Sequence, residues 1–228
     1  SSDATDARLK GRFNAEALEV SAFVEDSEVT AGGTVTLDSD SLQVLGADVM
    51  ATAMSISGSA GFSVSFAAAG TFVENDINTS ILAEIRDSRV TAIGDVDLHA
   101  EDRSSISGTA TAASLSVSIS LAAGASGFAG TYASNQIGNT VRSGISGSRA
   151  ESINGDITAK SVSLPSIELT ATAASVAASI VAVAGAVVGS EIEVDTTTES
   201  FGRDVDLHAN NGTVTFSADS QVDVEPKL

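Results

Sequence analysis

The residues best placed to do chemistry are paired carboxylates beside histidines. The hexapeptide Asp-Val-Asp-Leu-His-Ala occurs twice, at 95–100 and 204–209, and contains both histidines of the chain, His99 and His208. In an extended strand, side chains two apart leave the same face about 7 Å from one another. Asp95 with Asp97, and Asp204 with Asp206, therefore form carboxylate pairs on the face opposite Val and Leu. Oxygen ligands of this kind suit a hard divalent cation, so Asp95, Asp97, Asp204 and Asp206 are candidate calcium ligands. A convergent imidazole would extend the set to transition metals. The competing reading is a solvated acidic strand face, since no stretch carries an EF-hand loop or a glycine-rich Asp nonapeptide. There is also no nucleophile elbow and no phosphate loop. Paired carboxylates would serve a glycosidase, but one Tyr and no Trp furnish a sugar groove poorly. No catalytic residue and no cofactor beyond such a calcium ion is expected.

These pairs belong to a repeat. Asn14, Ala22, Asp26-Ser27, Val29-Thr30-Ala31 and Gly33 recur at Asn75, Ala83, Asp87-Ser88, Val90-Thr91-Ala92 and Gly94. Gly94-Asp95-Val96 recurs as Gly155-Asp156-Ile157, and the run from Thr109 to Ser114 recurs from Thr170 to Ser175. Each match lies about 61 residues on, a spacing that marks a stacked repeat architecture. The hexapeptide places its second copy only 48 positions after Asp156 (204 − 156). On that alignment the last unit is shortened, and His99 and His208 are equivalent. The units are approximately 14–74, 75–134, 135–191 and 192–228, in one repetitive domain, 1–228.

The elements that must position these residues are strands. Val, Ile, Thr, Ser and Gly dominate, and the recurring signal is alternation rather than a helical period. From Ser104 to Val141 there is no charged residue. Within it Ser114, Ser116, Ser118 and Ser120 alternate with Leu115, Val117, Ile119 and Leu121. One face is aliphatic and is expected to build a continuous core as units stack. The other is Ser, Ala and Gly, flat enough for a second layer or a second chain to approach. Related stretches run over 49–73 and 169–190. The motifs Asn75-Asp76-Ile77-Asn78 and Asn135-Gln136-Ile137-Gly138-Asn139 read as corners whose amides form a ladder. The fold expected is all-β: a β-solenoid or β-helix-like stack of ~61-residue units with long Ala/Gly/Ser-rich strands. Each unit is either three coils of roughly twenty residues or one coil with a protruding long hairpin.

Composition narrows the partners. Hydrophobic residues make up 43% of 228, enough for a core, but aromatics only 4%, so the core must be aliphatic and thin. The net charge of −19 disfavours nucleic acid, which requires a basic footprint. There is no Cys, which excludes disulfides and thiolate metal sites. The uncharged stretches are too rich in Ser, Gly and Thr for a spanning helix, so no membrane-spanning segment is expected.

The pattern resembles the repeat regions of large bacterial secreted and surface proteins, the haemagglutinin-like and leukotoxin-like passengers of autotransporter and two-partner systems. The residues that carry the likeness run from Ala83 to Ala100, with Asn75-Asp76-Ile77-Asn78 as the corner. The resemblance implies an extracellular or cell-surface, non-enzymatic structural segment, a stalk or filament. Self-association would run through the uncharged strand holding Ser114, Val117, Ile119 and Leu121. The alternative is an adhesin module that binds a glycan or a surface protein with the help of calcium.

Overall fold

A computed structural model describes residues 2–227, with side chains from Leu18 to Lys227. Four coils follow one another. The first holds β1 (Ser2–Glu25), β2 (Glu28–Ala31), β3 (Val35–Ser41) and β4 (Val44–Gly58). The second holds β5 (Phe62–Arg86), β6 (Arg89–Ala92), β7 (Val96–Asp102) and β8 (Ser105–Ile119). The third repeats the pattern as β9 (Ala122–Ser146), β10 (Arg149–Ser152), β11 (Ile157–Ser163) and β12 (Ser166–Ala178). The fourth has β13 (Val181–Arg203), β14 (Asp206–Ala209), β15 (Val214–Ser220) and a brief β16 (Asp223–Lys227). Among the described residues there is no helix. Equivalent strands stack in parallel into four sheets: a long one (β1-β5-β9-β13), a short one (β2-β6-β10-β14), a middle one (β3-β7-β11-β15) and an arm sheet (β4-β8-β12-β16). The protein is a β-solenoid.

One unit is one coil, not three. The supposed Asn corners lie within the straight runs of β5 and β9. The real corners are tight and recurrent. Asp26, Asp87 and Asp204 take positive φ (46°, 49°, 53°), and Gly147 takes the same conformation (φ 56°) in the third coil. Aspartate tolerates the left-handed region better than most residues, and glycine occupies it freely. The next residue builds a ladder. Ser88 Oγ accepts the Ser27 N–H (3.0 Å) and donates to the Arg86 carbonyl (2.7 Å). Ser148 Oγ accepts the Ser88 N–H (2.9 Å) and donates to the Ser146 carbonyl (2.6 Å).

This corner also settles the register. Asp204 falls in the column of Asp26, Asp87 and Gly147, so the repeated hexapeptide does not mark equivalent positions. Its first copy lies in β7 of the middle sheet and its second in β14 of the short sheet. The true counterpart of Gly94-Asp95-Val96 is Gly212-Thr213-Val214, since Val96, Ile157 and Val214 pair in succession. Cross-coil bonds span 61 residues between the second and third coils (Thr158 to Asp97) and 57 between the third and fourth (Thr213 to Asp156). The last coil is thus only slightly short, and His99 and His208 are unrelated.

The long sheet packs on two partners. The second half of each long strand faces the middle and short sheets: Ile81, Ile85, Val141 and Ile145 meet Val90, Val96, Leu98 and Ile157 in a closed core. The first half faces the arm sheet. Two facing columns of isoleucine, Ile77/Ile137 in the long sheet and Ile106/Ile167 in the arm sheet, mark the junction. Beyond it the contacts shrink to alanine: Ala51, Ala53, Ala67, Ala69, Ala112 and Ala129. The molecule is therefore a thick aliphatic body carrying a thin arm of small residues.

Ser148→Ala should cost about 1–3 kcal/mol, because it orphans the buried Ser88 N–H. Urea denaturation monitored by circular dichroism measures this; a loss below a few tenths of a kcal/mol would show that the serine ladder contributes nothing.

Candidate functional site

The four carboxylates singled out as metal ligands do not converge. Asp95 Oδ1 accepts the backbone N–H of Asp156 in the next coil (2.8 Å), and Asp156 in turn accepts that of Thr213 (2.7 Å). A Cβ on Gly155 would collide with the Asp95 carboxylate, so glycine is needed where the coils approach at this point. Asp97 accepts the Thr158 hydroxyl. Asp206 bridges Arg149 (2.7 Å) and His208 (2.8 Å), while Asp204 makes the left-handed corner. Among the described residues, the acids that do converge with a histidine belong to the preceding coil. Asp38, Asp40 and His99 present one donor atom each, all within 4.8 Å of one another. This group lies on the outer face of the middle sheet. His99 is also 3.1 Å from Glu101, which Arg103 grips at 2.5 Å. Hydrogen bonds from Arg103 and His99 hold the Glu101 carboxyl down to about 2 against the opposing effect of burial. Sequence reasoning missed the trio because Asp38 and Asp40 are brought to His99 only by the 61-residue coil.

Asp102, next along the same strand, is fully buried at the base of the arm. Burial raises its pKa above the ordinary aspartate value, although Ser104 (2.7 Å) and Asn139 (2.5 Å) donate hydrogen bonds to it. Ser41 and Ser163 sit on either side of it in the stack, and neither hydroxyl has a hydrogen-bond partner among the described residues. Above it runs a short amide ladder, in which Asn75 donates to Asn135 (2.7 Å). The fourth coil ends this ladder with Ile192. Asn14, the first member expected, does not join it: an irregularity between Ala15 and Leu18 shifts the register, so that Phe13 pairs with Asn75 and Asn14 with Asp76.

The arm reverses the expected polarity. Its serine face points inward. Ser63 and Ser118 hydroxyls meet at 2.7 Å, Ser65 and Ser116 at 2.6 Å, and Ser114 donates to Ser175 at 2.9 Å. Buried hydroxyls without partners are costly; here they pair across a gap that only Ala, Ser and Gly can fill. The aliphatic face points outward. Of the residues expected to mediate self-association, Ser114 is buried inside the arm, Val117 is half-buried on its outer face, and Ile119 and Leu121 are 69% and 87% exposed. Met54, Leu115 and Val176 form an exposed row across the three coils, and on the opposite side Phe62, Val64 and Phe66 run along β5, with Phe128 exposed in β9 and Val183 in β13. Beside the first row, Thr52, Ala113 and Ala174 leave an open groove of about 590 Å³ lined also by Met54, Leu115 and Val176.

The apolar surface ends at acidic collars: Asp48 and Glu168 on the arm sheet, Glu74 and Glu191 on the long sheet. The stacked rings of Phe72 and Tyr132 (5.4 Å) mark the second collar, and the Tyr132 hydroxyl donates to Glu191 (2.5 Å). A signal for this inversion was present in the sequence. Side-chain parity is conserved along a strand, and Asp48 shares parity with Met50, Met54 and Ile56, as Glu74 does with Phe72, Phe66 and Phe62. Charged residues are seldom buried unless paired or hydrogen-bonded, so their parity points to the outer face. Among the described residues no helix is long and apolar enough to cross a membrane.

No protein-family model, no curated protein and no solved structure matches the chain.

The Asp102 pKa gives a signed expectation. The native state holds its proton more tightly than the unfolded chain, so the stability this group contributes is lost as pH rises from about 4 through the raised native value. Relative to wild type, Asp102→Asn should gain stability over that interval and then hold it to neutrality. Urea midpoints of the two proteins from pH 3.5 to 7.5 test this; a constant difference would mean that the carboxylate is as well solvated folded as unfolded.

Proposed function

We propose that this chain is a non-enzymatic structural element of an exported bacterial surface protein. It builds a stalk or filament by self-association of its uncharged strands. The observation that carries this reading is the in-register parallel stack, in which every coil pairs with the next in all four sheets, a pattern that further strands can continue. β1 to β4 form the edge of all four sheets at one end and β13 to β16 at the other. Unpaired strand edges are templates for further strands. In the outermost coils the core residues are only partly buried: Val24, Val29 and Val35 in the first, Val205, Leu207 and Phe216 in the fourth.

In-register continuation by a second copy would extend these columns. Arg203 would enter the column of Glu25, and Lys227 that of Asp48. Against this, Asp206 would meet the column of Glu28, and Asp219 that of Asp40. Among the residues whose side chains are described, two attractions against two repulsions roughly cancel at the surface, which leaves the apolar columns to decide, and they favour stacking. The resemblance to repeat regions of secreted proteins points the same way.

The purified chain should elongate with rising concentration into uniform fibres, whose aligned diffraction shows a strong axial reflection near 4.8 Å. Light-scattering chromatography and negative-stain microscopy, with and without calcium, follow the elongation. A monodisperse monomer under every condition would remove this reading.

A further inference from the structure

We propose that the outer face of the arm sheet is a lateral docking surface for a second copy of this chain, paired through a two-fold axis parallel to the stack. The inference rests on the self-association reading and deepens it: beside the axial contact it assigns the uncharged strands, Val117 and Ile119 of β8 among them, a lateral one of defined geometry.

The arm's outer face consists of parallel rows, each contributed in register by β4, β8 and β12. From collar to tip they read Asp48/Thr109/Thr170, Met50/Thr111/Thr172, Thr52/Ala113/Ala174, Met54/Leu115/Val176, Ile56/Val117/Ala178 and, in β4 and β8 alone, Gly58/Ile119. The third row is a trough and the fourth a ridge, with the 590 Å³ groove along them. A two-fold axis midway between these rows lays the ridge of each copy in the trough of the other. Ala113 then faces the partner's Leu115, and Ala174 the partner's Val176. The same axis sets Thr111 against the partner's Val117 and Thr109 against the partner's Ile119. Asp48 falls at the rim opposite the partner's Gly58, where its carboxylate keeps its water. The face is self-complementary in shape and has no charge inside its rim, as a symmetric contact requires.

Size supports the same occupant. Three strands about 4.8 Å apart and eleven residues at about 3.3 Å each give a face of about 500 Å² per copy, or about 1,000 Å² for the pair. That reaches the lower bound for a specific interface. A lipid bilayer fits less well, because the arm's sheets have open edges, which do not occur exposed in hydrocarbon. The remaining surface is strongly acidic, with a net charge of −19, so copies repel one another elsewhere and meet most readily where charge is absent.

Leu115→Glu places a charge at the centre of the contact without touching the arm's interior, so circular dichroism should be unchanged. Lateral association should weaken at least about tenfold, and paired filaments should separate into single ones. Phe128→Glu, on the opposite face, should leave pairing intact. Because the chain has no cysteine, a mixture of Ala113→Cys and Leu115→Cys proteins should form a disulfide between unlike chains in excess over either protein alone. Fibres that stay paired with Leu115→Glu and give no mixed disulfide would overturn the arm pairing and leave axial growth standing. Mixed disulfides without fibres would support the pairing and count against axial growth. A monomer that never cross-links would overturn both. Leu115-dependent binding of an otherwise monomeric protein to phosphatidylcholine vesicles would assign the face to lipid and overturn the pairing.

Discussion

Everything in this molecule depends on hydrogen bonding between parallel strands of successive coils. That bonding sets each coil about 4.8 Å above the last and places every residue directly over its counterpart. A residue is therefore chosen for its column as much as for its own strand. The isoleucines at 77 and 137, the serines at 88 and 148 and the asparagines at 75 and 135 stack on like residues because each tolerates its own kind. Where a column needs a left-handed corner, the chain places Asp26, Asp87, Gly147 and Asp204.

The same constraint governs charge. Stacked carboxylates about 4.8 Å apart would repel, and several basic residues instead stack on an acid of the neighbouring coil. Glu28, Arg89, Arg149 and Asp206 form one continuous column. Arg86 lies over Glu25 at 2.7 Å, and Arg142 pairs with Glu199 at 3.0 Å. These pairs are largely exposed, so each contributes little on its own.

The solenoid was legible in the sequence because its period is covalent: a residue and its counterpart recur along the chain. The coil count was not, because alternation reports strands and not where they bend. The Asn motifs looked like corners and lie within strands, while the true corners are single left-handed residues with little compositional signal. The verbatim repeat at 95–100 and 204–209 misled the register, because six residues of alternating Asp, Val, Leu and His suit any strand with one face in water. The columns of the corner outrank it. The Asp38, Asp40 and His99 group needed two coils to exist, so no local motif could disclose it.

The arm is the place where local pattern and global packing diverge. Alternation of Ser with Leu, Val and Ile states that one face is apolar, and general experience puts that face inside. Here the width of the interior decides instead. The body closes around Ile, Leu and Val and is wide. The arm closes around Ala, Ser and Gly and is narrow, so its inner face admits no large side chain. Burying a Leu or Ile contributes about 1.5–3 kcal/mol, and the arm forgoes most of that inside itself. Its interior is held by paired hydroxyls and the strand ladders, while its largest apolar side chains remain outside, within acidic collars. A segment built in this way has more to gain from a second surface than from its own core, and the rows on its outer face have the relief of a surface made to be covered.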